Sequence, residues 1–317
     1  MVQQLNQFIQ RWMPILTPLS LVIGVLLENI GGHLLFLVPI LFALMTFISS
    51  LNLKFRDIKV FKEYPKTILF IIAFLHILMP LWAFFLAETI FDDRLLSIGF
   101  LLSVAVPTGV TSVIWVTISK GNLPLCLAII LIDTLLAPIL MPVTLHFAAG
   151  ESIQLETSAL IFDLVWMIVL PSIFGMLISE WTKGALQAKI GKPLSLISKL
   201  CLFAIIMINS SAIAPYVKTI NGELAAVIGL VLFVAISGYT FSLILSRLFW
   251  KSSADQATFV FNAGMRNIAV GVVIATTYFP SKVAMPVVFG MLFQQVLASV
   301  FFKIMQRKPS TLEAETV

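Results

Sequence analysis

The sequence predicts an all-α integral membrane protein, and three observations indicate this fold class. Hydrophobic residues make up 60% of the 317 residues and charged residues only 11%, and the mean hydropathy is +1.06. The apolar residues form ten runs, each near the roughly 20 residues that a helix needs to span the hydrocarbon core. The charged residues collect between these runs. A composition this apolar excludes the soluble globular classes, and the net charge of +5 then records membrane topology rather than nucleic-acid binding.

The ten predicted spans follow one another through the whole chain. In order they cover about residues 12–29, 32–51, 66–88, 95–119, 122–148, 158–181, 196–217, 223–249, 255–279 and 283–305. Most of the 20 lysines and arginines fall on one side of this arrangement, and Arg94, Lys218 and Lys282 fall on the other. Because cytoplasmic loops carry the excess of basic residues, we expect both termini in the cytoplasm and the protein in the cytoplasmic membrane.

The chain divides into two predicted halves, residues 1–150 and residues 151–317, the second ending in a short cytoplasmic tail. Each half carries five spans, and an odd number forces the second half to run inverted through the membrane. Internal similarity supports the division, since the segment that starts at Pro18 parallels the one that starts at Pro171. Inverted repeats within a single membrane domain are typical of secondary transporters.

Helix-breaking residues interrupt the fourth and ninth spans at corresponding places. Pro107-Thr108-Gly109 interrupts the fourth span, and Asn262-Ala263-Gly264 interrupts the ninth. A broken helix leaves backbone N–H and C=O groups unpaired, which is tolerated at membrane depth only inside protein or beside a wet cavity. The half-helices that begin near Val110 and Met265 therefore favour an anion at their N-termini. The alternative is a pair of kinks that only pack neighbouring helices.

Two lone charges lie at mid-depth in the predicted spans. Arg266 is the only formal charge between Ala257 and Phe279, and Asp133 is the only one between Leu123 and Phe147. A charge at the bilayer centre costs a few kcal/mol on insertion scales, so such residues face a cavity, a partner or a substrate. Both residues are therefore candidates for a functional site.

At these positions the sequence resembles the bile acid:sodium symporter family. The matching pieces are Pro107-Thr108-Gly109 with Ser112, Lys120-Gly121-Asn122, Thr134-Leu135 with Pro138 and Pro142, and Gly264-Met265 with Asn267. The resemblance covers the whole chain. It implies two inverted five-helix repeats whose fourth and ninth helices are broken and cross near mid-membrane. It also implies transport of an organic anion, either a bile-acid-like or a pantoate-like carboxylate.

The sequence departs from this family at the residues that would ligate sodium. Beside Ser112, the first of two sodium sites would have Val113, Cys126 and Ile130 in place of oxygen ligands. The second site would have Asn262 in place of a glutamate, and Arg266 and Leu75 each in place of a glutamine. A guanidinium has no acceptor atom and cannot ligate sodium. We therefore expect no bound metal or cofactor, with Arg266 occupying or neutralising the former second site, and sodium coupling is left open.

Asp133 has three possible roles. It lies one helical turn beyond Ile130, on nearly the same helix face. It could form a structural ion pair with Arg266, serve as a proton-coupling site, or remain as a cation ligand. The sequence does not place the two side chains in contact, so all three stay open.

The sequence thus predicts a secondary transporter that moves a small organic anion through the bilayer by alternating access. A proton-coupled or uncoupled carrier, or a channel-like passive pathway, is the alternative. An enzyme is not expected, because no metal motif or nucleophile–base pair is visible. Substrate identity, direction and oligomeric state stay open. The candidate substrate-binding residues are Thr108, Val110, Thr111, Ser112, Asn262, Arg266, Asn267, Gln294 and Gln295.

Overall fold

The structure is a computed structural model that describes residues 2–149, 156–218 and 221–306. Within these ranges it is all-helical, with no β-strand. The first half contains α1 (Val2–Leu26), α2 (Glu28–His33), α3 (Val38–Ser50), α4 (Val60–Glu63), α5 (Pro65–Ala73), α6 (Met79–Ile90), α7 (Arg94–Ala105), α8 (Ser112–Ile118) and α9 (Leu123–Ala149). The second contains α10 (Thr157–Leu164), α11 (Leu170–Trp181), α12 (Ala185–Val217), α13 (Gly222–Phe249), α14 (Ser253–Gly264), α15 (Ile268–Tyr278) and α16 (Ala284–Gln306).

Short non-α segments join some of these helices into longer helical segments. A π-helical turn, Phe74–Leu78, joins α5 to α6, and a second one, Val165–Val169, joins α10 to α11. Short 3₁₀ turns cover Leu35–Leu37, Phe55–Lys59 and Ser281–Val283. A π turn inserts one extra residue, so it rotates the side chains that follow it relative to a regular helix.

Six of the resulting helices are long and apolar enough to span a membrane, and two bent pairs raise the number to eight. The six are Pro65–Ile90, Leu123–Phe147, Thr157–Trp181, Ala185–Val217, Gly222–Phe249 and Ser281–Gln306. The predicted fourth and ninth spans do not qualify as continuous helices because each is divided. One piece of each, α7 and α15, is a short apolar helix. The protein is therefore a multi-pass membrane protein, while ten spans and the inverted repeat remain predictions.

The helices expose apolar side chains outward and bury polar ones inward. Phe147 is 81% exposed and Leu26 is 75% exposed, whereas Asp133 and Asn262 are completely buried. This arrangement suits lipid surroundings, where apolar surface costs nothing and polar groups require partners inside the protein. The predicted tail after residue 306 and the loop around Glu151 lie outside the described residues.

Side-chain caps fix the starts of three helices around the centre. Asp93 accepts hydrogen bonds from the backbone N–H groups of Leu95 and Leu96 at the start of α7. Asn221 caps α13 and Ser252 caps α14 in the same manner. Each cap pairs backbone N–H groups that a helix start leaves without intrahelical partners.

Candidate functional site

The fourth predicted span is broken at the predicted place, and the ninth is broken just after the predicted place, because Asn262-Ala263-Gly264 forms the end of α14. The two breaks meet in the structure. Residues 106–111 separate α7 from α8, and residues 265–267 separate α14 from α15. The Gly109 N–H donates to the Met265 carbonyl at 2.7 Å, and the Asn267 N–H donates to the Pro107 carbonyl at 2.8 Å. Thr108 and Arg266 thereby form an antiparallel bridge. Each break supplies hydrogen-bond partners for the other, which is how irregular backbone becomes tolerable at membrane depth.

One glycine in each interrupting motif permits close packing at the crossing. A Cβ on Gly264 would lie within 2.1 Å of the Tyr239 ring, which packs directly against this turn. A Cβ on Gly109 would lie 3.0 Å from the Arg266 carbonyl oxygen. Backbone segments can approach this closely only where no side chain intervenes. The glycines of both interrupting motifs are therefore explained by packing at the crossing.

Arg266 is buried at the crossing, with only 6% of the residue exposed. Its guanidinium donates to the Leu75 and Val106 carbonyls, each at 3.4 Å. Leu75 belongs to the π-helical turn, and such turns leave carbonyls available to other donors. A guanidinium has five N–H donors. In the described structure the guanidinium of Arg266 makes two hydrogen bonds to protein, and both are long. Donors on Arg266 thus remain for another ligand.

Asp133 is completely buried and contacts both His76 and the first break. One carboxylate oxygen lies 2.5 Å from Nε2 of His76, and the other accepts the Thr108 N–H at 2.7 Å. In the described structure the direct side-chain contact of Asp133 is with His76 and not with Arg266. Of the three roles left open for Asp133, a direct ion pair with Arg266 is therefore not the arrangement in this structure. The two charges still attract each other across the site.

His76 lies in the site although it is not among the candidate site residues predicted from the sequence. It lies in the π-helical turn beside Leu75, and its Nδ1 is buried without a hydrogen-bond partner among the described residues. A lone intramembrane histidine gives no sign of its partner in the sequence. The sequence signals the contact only through the presence of one acid and one histidine in separate spans. Buried charges require partners.

Asn262 is the centre of a buried polar cluster beside the crossing. Its side-chain oxygen accepts from Ser112 at 3.3 Å and from the Cys126 thiol at 3.7 Å. Its amide N–H₂ donates to the Thr258 carbonyl, and its own carbonyl accepts from the Thr108 hydroxyl at 3.4 Å. The structure thus brings together three residues of the predicted degenerate sodium sites.

The other residues of those degenerate sites contribute no side-chain ligand. Ile130 and Leu75 are buried and apolar, and Val113 packs at the edge of a hydrophobic cluster. Leu75 nevertheless takes part through its backbone, because its carbonyl accepts from Arg266. Sodium is a hard cation that prefers several oxygen ligands, and the side chains around Asn262 offer only a partial set.

The two glutamines of α16 have different partners. The Gln294 side-chain oxygen accepts the Arg266 backbone N–H at 3.1 Å, which ties α16 to the second break. The Gln295 side-chain oxygen accepts the indole N–H of Trp115 at 3.2 Å, which ties α16 to α8. Gln294 therefore belongs to the crossing, while a contact between Gln295 and substrate stays a prediction.

A small cavity of about 50 Å³ lies next to Arg266. Polar groups of Arg266, Gln294 and Ser103 line it, and its remaining walls are mainly apolar side chains such as Val234 and Ile268. A cavity of this size holds a few water molecules. An organic anion would enter only if the surrounding helices moved apart.

The start of α8 leaves donors free on the accessible side of the crossing. The backbone N–H groups of Val110 and Thr111 have no partner among the described residues, and both residues are half-buried. Asn267 is also half-buried and forms the start of α15. Free N–H groups at a helix start attract negative charge.

Comparison with known proteins identifies the family. The model of the SBF-like CPA transporter family matches residues 11–307. The chain belongs to this family. The match confirms the resemblance to bile acid:sodium symporters. It also shows that the chain is a transporter and not an enzyme, which implies a small-molecule substrate.

Several relatives cover most of the chain. An uncharacterized protein, YbaS of Bacillus subtilis, is 41% identical over 93% of this chain and 97% of its own length. The uncharacterized sodium-dependent transporter YocS of the same organism is 24% identical over 78% of this chain and 76% of its own length. The probable sodium/metabolite cotransporter BASS1 of Arabidopsis thaliana chloroplasts is 26% identical over 83% of this chain and 65% of its own length.

Proposed function

We propose that this transporter of the SBF-like CPA family is a secondary transporter that carries a small organic anion by alternating access. The observation that carries the proposal is Arg266, a buried cation with unused donors beside a small cavity at the crossing of two broken helices. A charge this expensive requires compensation. The buried acid Asp133 attracts Arg266 across the site but makes its direct contacts with His76 and Thr108, so the unused guanidinium donors are left for a bound anion.

The anion we propose is a carboxylate or sulfonate with a compact apolar body, pantoate-like or bile-acid-like. Arg266 would hold the acidic group through charge-assisted hydrogen bonds. The free N–H groups of Val110 and Thr111 and the polar side chains of Asn267 and Gln294 would complete the polar end. The apolar cavity walls would contact the body of the substrate. Thr108, Ser112 and Asn262 lie behind these groups, bonded to one another, and would hold the polar end in place.

Sodium is the coupling ion that the named relatives support, since YocS is called sodium-dependent and BASS1 a sodium/metabolite cotransporter. We propose that Arg266 provides one fixed positive charge where such carriers would bind one of their ions. The partial set of ligands around Asn262 would then be the place left for sodium. This arrangement predicts a carrier that needs fewer sodium ions per anion than a carrier with two complete sites.

The rest of the topology follows as a proposal from the distribution of basic residues. Both termini would be cytoplasmic in the cytoplasmic membrane, and residues 1–150 and 151–317 would be the two inverted repeats of one membrane domain. The two breaks that meet at Thr108 and Arg266 support this assignment, because each half contributes one of them.

A thermal-shift screen tests the anion site. The purified protein would be heated with a panel of organic monoanions and their neutral amides, in sodium and in choline buffer. A ligand that binds the folded state raises the melting temperature by mass action. We expect at least one anion to stabilise the wild type, its amide to have no effect, and Arg266→Gln to lose about tenfold or more in affinity, since a charged hydrogen bond contributes about 1.5–3 kcal/mol.

The conservative variant Arg266→Lys is the matched control, because it keeps the charge but loses the planar fork of donors. We expect it to bind the same anion with intermediate affinity. An equal shift for wild type and Arg266→Gln, or no stabilising anion in the panel, would contradict the proposal. If the anion stabilises the protein as strongly in choline as in sodium, the anion site is supported. In that case proton-coupled or uncoupled transport replaces coupling to sodium.

A further inference from the structure

A wide groove runs along the lipid-facing surface between α6 and α13. Its volume is about 670 Å³, and every residue that lines it is apolar or aromatic. Leu81 and Phe85 of α6 and Ile244 of α13 are each more than half exposed there. The Trp82 ring meets the Phe241 ring edge-on, with centroids 5.4 Å apart. An exposed apolar cleft of this size in a membrane protein is a place for a hydrocarbon chain.

One end of the groove carries a group of cations. The indole N–H of Trp250 donates to the Thr67 hydroxyl at 3.0 Å, which fixes the end of α13 against the start of α5. Lys66, Arg247 and Lys251 flank this contact along the chain, and all three are exposed. Arg247 follows Ile244 by three residues, so both lie on the same face of α13. In the described parts of the chain none of the three cations forms an ion pair.

The spacing between the cations and the groove suits a phospholipid. On α13 the groove begins at Leu245, five residues or about 7.5 Å before Trp250, and on the other side it runs from Ile77 to Phe85, eight residues or about 12 Å. The groove thus begins about one glycerol backbone away from the cations on α13 and is long enough for a large part of an acyl chain. Polybasic segments beside membrane helices attract anionic headgroups.

We propose that the groove between α6 and α13 binds an anionic phospholipid. One acyl chain lies along Trp82 and Phe241, and the phosphate contacts Arg247 and Lys66. The groove also backs onto the cavity beside Arg266, because Leu78 lines the groove while its neighbour Met79 lines the cavity. The bound acyl chain therefore packs against the outer side of the helix that lines the cavity.

Quenching of tryptophan fluorescence by brominated lipid tests this site. Bromine on an acyl chain quenches only nearby indoles, and Trp82 lines the groove. The full chain in detergent would be titrated with brominated phosphatidylglycerol and, separately, with brominated phosphatidylcholine. We expect saturable quenching at lower lipid concentration for phosphatidylglycerol, and Trp82→Phe should remove most of the saturable part.

Charge variants test the headgroup contact. We expect Arg247→Gln and Lys66→Gln each to raise the half-saturating concentration of phosphatidylglycerol about fivefold, which corresponds to about 1 kcal/mol per cation. Phosphatidylcholine binding should be unchanged in both. Lys189→Gln, which removes an exposed cation from α12 instead, is the matched control and should bind as the wild type does. Equal half-saturation for the two lipids, undiminished quenching in Trp82→Phe, or no shift in the charge variants would overturn the proposal.

Discussion

Three side chains at the centre of the protein, His76, Asp133 and Arg266, are associated with the two helix breaks. Asp133 binds the N–H of Thr108 in the first break, His76 binds Asp133, and Arg266 occupies the second break. Asp133 therefore stabilises the first break directly, while Arg266 keeps donors unused. We therefore propose a structural role for the carboxylate of Asp133 and a substrate-binding role for the guanidinium of Arg266.

Replacement of Asp133 tests its structural role. Asp133→Ala would leave His76 and the Thr108 N–H without their partner, and breaking a buried pair costs about 3–5 kcal/mol. Asp133→Asn keeps an acceptor for the Thr108 N–H, so we expect a smaller loss. Thermal unfolding in detergent measures both. Thr134→Ala, the next residue and also buried, should cost less than either, and equal losses for all three variants would refute the structural role of Asp133.

A helix cap and two ion pairs connect the ends of α7, α13 and the turn before α16. Asp93 caps α7 and its carboxylate contacts Lys282 at 2.6 Å, and Lys282 also contacts Glu223 at 2.6 Å at the start of α13. Burial raises the pKa of the Asp93 carboxyl, but the bonds from Lys282 and from the Leu96 N–H outweigh burial and hold its pKa below the usual value. The ion pairs therefore connect α7, α13 and the turn before α16.

The lowered pKa of Asp93 predicts a pH-dependent contribution to stability. A carboxyl with a depressed pKa stabilises the fold above its unfolded pKa of about 3.9 and loses this contribution as pH falls through the folded value. Asp93→Asn keeps a good helix cap but removes the charge. We expect a lower melting temperature for Asp93→Asn than for wild type at pH 7, and the difference should shrink below about pH 4. Asp92→Asn, at the exposed neighbouring position, should show no such trend.

Sequence patterns predicted the elements of this fold better than the contacts between them. Pro107 and Gly109 in one span and Gly264 in another identified the breaks because they lie at corresponding places in the two halves, whereas single prolines such as Pro138 lie inside an unbroken helix. The lone charges of Arg266 and Asp133 identified the site for the same reason. The His76–Asp133 pair was not predictable, because the π-helical turn at Phe74–Leu78 sets the rotation of His76, and the sequence does not signal that extra residue.

Across the whole molecule, polar chemistry is concentrated at one crossing inside an apolar exterior. The breaks in α7–α8 and α14–α15 bind each other, and α16 contacts the same place through Gln294. The cavity beside them, of about 50 Å³, is too small for an organic anion. The proposed transport would therefore require the helices around Arg266 to separate, first toward one side of the membrane and then toward the other.

Uptake into proteoliposomes is the measurement that tests the central claim most directly. The anion that most stabilises the purified protein would be supplied outside, with an inward sodium gradient or with choline, and with or without the same anion inside. We predict uptake that the sodium gradient drives above equilibrium, that internal anion accelerates, and that Arg266→Gln abolishes while Arg266→Lys retains part of it. Uptake that only equilibrates the anion, is indifferent to internal anion and persists in Arg266→Gln would contradict an alternating-access anion carrier built around Arg266.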